Sequence, residues 1–208
     1  MNTPCAEDLT AMLIDQLKPF SPDRFDACIN HMMRTYRRTL DQHDVTKLHV
    51  MMEFFHVLAT GKQMVGGRLK PWKHGPVLED GYNRIRSLGH RFDETRTATH
   101  QGKLRVIGKS GNRYLYEAYG AIDEDDFSAA ELEAMRRAWD VVIPLTFSQR
   151  ESFFHDDQKY MGRAWTNARK AGLEGIDWND VIRAYEAVTG EDHTEARLMV
   201  EAWRDDES

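Results

Sequence analysis

Between about Asp44 and Thr60 the chain is so rich in apolar residues that a helix there has almost no polar face. Leu48, Val50, Met51, Met52, Phe54, Phe55, Val57 and Leu58 cover most of its circumference, which predicts a buried helix. Asp44 is expected to cap it and Gly61 to stop it. The polar residues that remain, His49, Glu53, His56 and Thr60, fall within about 60° of one another on a helical projection. On a buried helix such a stripe must be hydrogen-bonded internally or open onto a cleft, because unpaired polar groups in a core cost several kcal/mol.

The same reading predicts a mainly helical chain. Residues 6–18 suggest a short helix ending before Pro19. Ser21-Pro22 gives an N-cap and a first-turn proline for a second helix, whose core face carries Phe25, Cys28, Ile29, Met32, Met33, Tyr36 and Leu40. Residues 61–76, with Gly61, Gly66, Gly67 and Pro71, are expected to be irregular or weakly extended. Gly75-Pro76 reads as a turn, followed by a helix from about Val77 to Leu88 that stops at Gly89. Lys103–Ile107 and Arg113–Tyr119 alternate like strands and flank a five-residue loop, so one β-hairpin is expected. Ser128 and Glu131 form a capping box, and Phe127 and Leu132 a hydrophobic staple, for a helix running toward Pro144. Short helices are expected near 148–155, 160–171, 178–189 and 193–204, with a frayed acidic tail. The fold class is therefore mainly α: a single globular helical domain with a small β-hairpin, plus a C-terminal helical extension.

Charge and cysteine content narrow the function classes. The 208 residues carry 28 Lys+Arg and 34 Asp+Glu, a net charge of −6, which disfavours broad nucleic-acid binding. The imbalance is uneven: residues 1–120 hold 18 basic and 13 acidic side chains, residues 121–208 hold 10 and 21. Surfaces of opposite sign are expected. Two cysteines, Cys5 and Cys28, make no disulfide framework, so a reducing cytoplasm is the default. No apolar run is long enough to span a membrane, and the first residues lack the layout of a signal peptide.

Several candidate chemistries compete. His49, Glu53 and His56 share a helix face, as metal ligands can, but the spacing is not that of a zinc-protease helix and no cysteine cluster accompanies it. No metal or cofactor is expected. The hairpin interleaves Lys103, Arg105, Lys109 and Arg113 with Tyr114, Tyr116 and Tyr119, a pattern that can grip single strands. An amphipathic hairpin with its tyrosines turned inward is favoured instead. No nucleophile elbow, P-loop or dinucleotide fingerprint is present. His74 is expected to fix its turn by bonding a backbone carbonyl or Glu53, with Gly75 and Pro76 as structural turn residues. Trp72 and Tyr82 fit a core ring or an interface anchor equally well.

Lys47-Leu48, Glu53 and His56 on one helix, then Thr60-Gly61, Gly66-Gly67-Arg68, Lys73-His74-Gly75-Pro76-Val77 and Tyr82, together resemble the Panacea domain, also called the DUF4065 or SocA-like family. The close match covers about residues 45–86, and His49-Val50 replaces the family's usual aromatic segment. The resemblance implies residues 1–20 as an N-terminal helix, 21–182 as a Panacea-like domain (motif core 45–86, β-hairpin 103–119) and 183–208 as a helical extension with an acidic tail. It also implies a cytoplasmic antitoxin that is not an enzyme and neutralises a cognate protein toxin by direct binding. Small alarmone synthetase-like enzymes are among the toxins of such proteins. A protease adaptor delivering its client for degradation, with protease machinery as a partner, is the alternative, as is a phage- or prophage-associated nucleic-acid-binding regulator. Homo-oligomerisation is left open. The expected partner-binding or site-organising residues are Glu53, His56, Trp72, Lys73, His74 and Tyr82.

Overall fold

A computed structural model describes residues 18–95, 99–100 and 103–206; the helix expected over 6–18, Cys5 and the last two residues lie outside them. The apolar segment becomes helix α2, Gln42–Thr60, buried from Asp44 to Leu58. Its N-cap is Asp41, whose side chain accepts from the Asp44 amide, while the Asp44 carboxylate accepts from the Asp41 amide. The expected cap at Asp44 is thus the third residue of a capping box. The helix ends as expected at Gly61, where φ is +70° and a side chain would be strained.

The other elements wrap α2. Helix α1, Pro22–Thr35, follows Ser21 with proline in its first turn, and buries Phe25, Cys28, Ile29, Met32 and Met33. Helix α3 is Glu79–Thr95, α4 is Ala129–Val142, α5 is Phe147–His155, α6 is Tyr160–Lys170, α7 is Trp178–Thr189 and α8 is Thr194–Asp206. Helix α4 makes the most extensive helix contact with α2, and its predicted Ser128–Glu131 capping box is present. Helix α8 seats Ala196 and Val200 in the core and brings Met199 onto Gly61, where an added Cβ would lie 2.3 Å from the Met199 Cβ. No helix among the described residues is long and apolar enough to cross a membrane.

Strands β1 (Leu40–Asp41), β4 (Thr99–His100), β5 (Leu104–Ser110) and β6 (Arg113–Ala118) form an antiparallel sheet in the order β1-β6-β5-β4. The expected hairpin is its centre, but the five-residue loop is not there. Gly108, Lys109 and Ser110 pair with Leu115, Tyr114 and Arg113, leaving Gly111-Asn112 as the turn. A bulge between Val106 and Gly108 absorbs the register change.

Two further expectations need correction. The extended character allowed for residues 61–76 is regular from Leu69 onward: β2 (Leu69–Trp72) and β3 (Gly75–Leu78) form a second hairpin that was not expected. Its turn is Lys73-His74, and Gly75-Pro76 lies in β3 instead. Pro71 faces Pro76 across the pair, and neither has an N–H to donate, so the two prolines fit the non-hydrogen-bonded position of the ladder. Helix α3 starts at Glu79 and continues through Gly89, which was expected to stop it. The glycine serves close packing: a Cβ there would lie 2.3 Å from the Tyr114 ring.

Candidate partner-binding site

Helix α2 holds two polar groups that reach off it, one fixing the loop that leads into the β2–β3 hairpin and one fixing the hairpin itself. The first is Glu53, fully buried. Its Oε2 accepts from the Met64 amide at 2.8 Å, and its Oε1 accepts from the Val65 and Gly66 amides at 2.5 and 3.0 Å. Burial pushes its pKa up to about 7, opposed by those three amides. Around this latch, the Lys18 ammonium donates to the carbonyls of Met64 and Gln63, and the Ser21 amide donates to Val65. One carboxylate thus does for the 61–68 loop what a strand partner would do for a sheet edge.

His56 works one turn further on. Its Nδ1 lies 2.7 Å from the Lys62 carbonyl, which fixes Nδ1 as the protonated, donating nitrogen. Thr60 returns its hydroxyl to the His56 carbonyl. His49 has a different neighbourhood. Its ring packs edge-on to Phe25 at 4.8 Å and near Phe20, and burial drives its pKa down to about 3. It is a neutral ring, so its 3.9 Å approach to Glu53 is not an ion pair. The three groups of the stripe turn to separate partners rather than to one centre.

The second fixing group is Lys47, only 2% exposed. Its ammonium donates to the carbonyls of Pro76 at 3.0 Å and His74 at 3.2 Å and sits 4.5 Å over the Phe154 ring. Burial pulls its pKa down to about 7, with Glu151 opposing the shift. Gly75 is required beneath it: φ is +96°, and a Cβ would lie 2.9 Å from the ammonium nitrogen. Lys47 belongs to the family-like pattern but is not among the site residues expected from the sequence. The signal was present, a lysine on a helix with no exposed face.

Pinned from below, the hairpin turns its tip outward. Lys73 and His74 are exposed, and Trp72 and Tyr82 are half-buried. The expectation for His74 is corrected: its imidazole bonds neither a carbonyl nor Glu53 among the described residues, and its main-chain carbonyl does the anchoring. Trp72 and Tyr82 meet edge to face at 5.0 Å. From α6, the Trp165 indole donates to the Trp72 carbonyl at 2.7 Å, and Arg169 donates to the Pro71 carbonyl at 3.2 Å. The site residues therefore fall into two groups. Glu53 and His56 organise the interior, whereas Trp72, Lys73, His74 and Tyr82 share one surface.

Three of the four basic side chains of the sheet hairpin meet carboxylates within the chain. Arg105 pairs with Glu117, Lys109 with Asp93 and Arg113 with Asp41. Tyr116 is buried and donates to the Ile85 carbonyl, and Tyr114 donates to Asp93. Tyr114 and Tyr116 therefore face inward as expected, whereas Tyr119 is exposed, with the Arg105 guanidinium 4.8 Å from its ring centroid.

The family described as antitoxin SocA-like, Panacea domain, has a model that matches residues 45–160. The matched stretch runs from the start of α2 to the first residue of α6, and so includes Lys47, Glu53, His56 and the whole β2–β3 hairpin. No curated protein and no solved structure matches the chain.

Proposed function

Because the chain belongs to the antitoxin SocA-like, Panacea domain family, we propose that it neutralises a cognate protein toxin by binding it directly through the β2–β3 hairpin, without catalysis. The observation that carries this reading is the double fixation of the hairpin. Glu53 holds the loop that leads into it, and Lys47 holds the turn from beneath. A surface ordered before contact loses little conformational entropy on binding, and preorganisation of this kind raises affinity without adding contacts. The hairpin also offers what binding hot spots need, a half-buried Trp and Tyr next to exposed polar groups.

In this reading Glu53, His56, Gly75 and Pro76 shape the surface, and Trp72, Lys73, His74 and Tyr82 touch the toxin. Co-expression with the product of the adjacent open reading frame tests it. Growth is expected to be restored by the wild-type chain, and Trp72→Ala is expected to weaken the complex about 30-fold, the effect of a ~2 kcal/mol hot spot. Continued growth arrest beside soluble, folded antitoxin would refute the proposal.

A further inference from the structure

The tip of the β2–β3 hairpin belongs to a larger face whose charge is unusual for this protein. Residues 62–78 contain Lys62, Arg68, Lys70 and Lys73 and no carboxylate; residues 158–173 contain Lys159, Arg163, Arg169 and Lys170 and again none. These two segments are over 80 residues apart in sequence, but Trp165 and Arg169 clamp α6 onto β2. Base-rich pieces from both halves of an acidic chain are thereby placed side by side.

Elsewhere eight of the arginines are ion-paired. Arg24, Arg84, Arg105, Arg113, Arg136, Arg150, Arg183 and Arg197 each meet a carboxylate. Among the described residues, none of the eight cations in the two segments does. Lys73, Arg169 and Lys170 are exposed. Carboxylates flank the segments in the chain: Glu79 and Asp80 follow the first, and Asp157 and Glu174 bracket the second. Unpaired cations beside half-buried tryptophans are complementary to negative charge on a partner.

We propose that this face, the Lys73-His74 turn together with the C-terminal half of α6, docks an acidic segment of a protein partner. The inference rests on the antitoxin reading for the partner's being a toxin, and names the chemistry by which that partner is held. Nucleic acid is the competing anion, and two observations disfavour it. The chain carries −6 overall, and the Trp165 ring already has Arg169 5.3 Å from its centroid and the His155 ring at 4.6 Å. Contacts within the chain thus already engage the indole on which a base would stack.

The test is fluorescence anisotropy with a short fluorescein-labelled glutamate-rich peptide, and with a single-stranded RNA of equal charge as the comparison. Wild type is expected to bind the peptide more tightly than the RNA, with affinity falling as salt rises. Lys73→Glu with Arg169→Glu should weaken peptide binding about tenfold or more, and Arg136→Glu on α4 should not. Lys70→Glu with Lys73→Glu leaves the Arg169 bond to Pro71 intact and should show the same loss with an unchanged melting temperature. Equal peptide binding by either double variant, or tighter binding of the RNA, overturns the inference. The growth assay separates the two claims. Rescue that survives both charge reversals overturns the acidic docking face alone. Absence of rescue by wild type sinks the antitoxin reading, while the peptide result still decides the face.

Discussion

Replacing Glu53 with Gln changes one oxygen to an amide nitrogen at constant size, and the latch geometry sets what this should cost. The favoured orientation keeps the Gln oxygen at the Oε1 position, where it still accepts from Val65 and Gly66. The NH2 group then faces the Met64 amide, two donors with nothing between them. A buried donor left unpaired costs about 1–3 kcal/mol. Two charge-assisted bonds also become neutral ones, which are roughly half as strong. Relief from burying a charge offsets part of this, so a net loss of about 2–4 kcal/mol is expected. The sign of the pH dependence follows from the raised pKa. The folded carboxyl titrates at about 7 instead of its ordinary 4.5, so its contribution is greatest below the ordinary value and is lost as pH rises through 7. Wild type keeps more of this contribution at about pH 5 than at about pH 8, and Gln does not titrate, so the loss on substitution should be larger at about pH 5 than at about pH 8. Urea unfolding at the two pH values measures the difference, and hydrogen exchange at the Met64, Val65 and Gly66 amides reports the latch itself. These amides should exchange faster in the variant. A loss below about 0.5 kcal/mol at both pH values, with unchanged exchange, would refute the view that one carboxylate holds this loop.

Three other outcomes follow from the same interior. The Lys47 ammonium titrates at about 7 in the fold and at 10.5 ordinarily, so between those values the unfolded chain binds more protons. Stability should then rise with pH at up to about 1.4 kcal/mol per unit, and Lys47→Met should abolish that slope in denaturant titrations; an identical slope in both proteins would contradict the burial argument. His49, held down to about 3, should stay neutral by NMR from about pH 8 to pH 5, and a midpoint near its ordinary 6.5 would show the ring to be hydrated. Gly81→Ala places a Cβ 2.3 Å from His49 Nδ1 and 3.1 Å from the Phe25 ring. It should destabilise by about 1–3 kcal/mol despite better helix propensity, and a raised melting temperature would count against this packing.

Much of the fold was legible because helices announce themselves through local rules. The buried character of α2, its stop at Gly61, the capping box at Ser128 and the central sheet hairpin each follow from residues a few positions apart. The errors cluster where a residue's neighbours are distant in sequence. Gly89 reads as a helix stop until Tyr114 is placed against it. Asp44 reads as a cap because Asp41 three residues earlier is an equally good one, and only backbone geometry chooses between them. Lys73-His74 was not recognised as a turn because Gly75-Pro76 is the stronger local signal.

The site divides along the same line. By itself the sequence determined that α2 must be buried, that Glu53 and His56 on it must find partners inside, and that the Trp72–Tyr82 segment carries the family's pattern; periodicity and the cost of unpaired polar groups suffice for that. Only the tertiary structure decided which partners those are. Glu53 reaches amides 11 to 13 residues away, Lys47 reaches carbonyls 27 and 29 residues away, and α6 supplies half of a cationic face from more than 80 residues on. The physical reason is that periodicity fixes which side of an element is apolar, whereas hydrogen-bond partners and summed charge depend on which elements come to lie within a few ångströms.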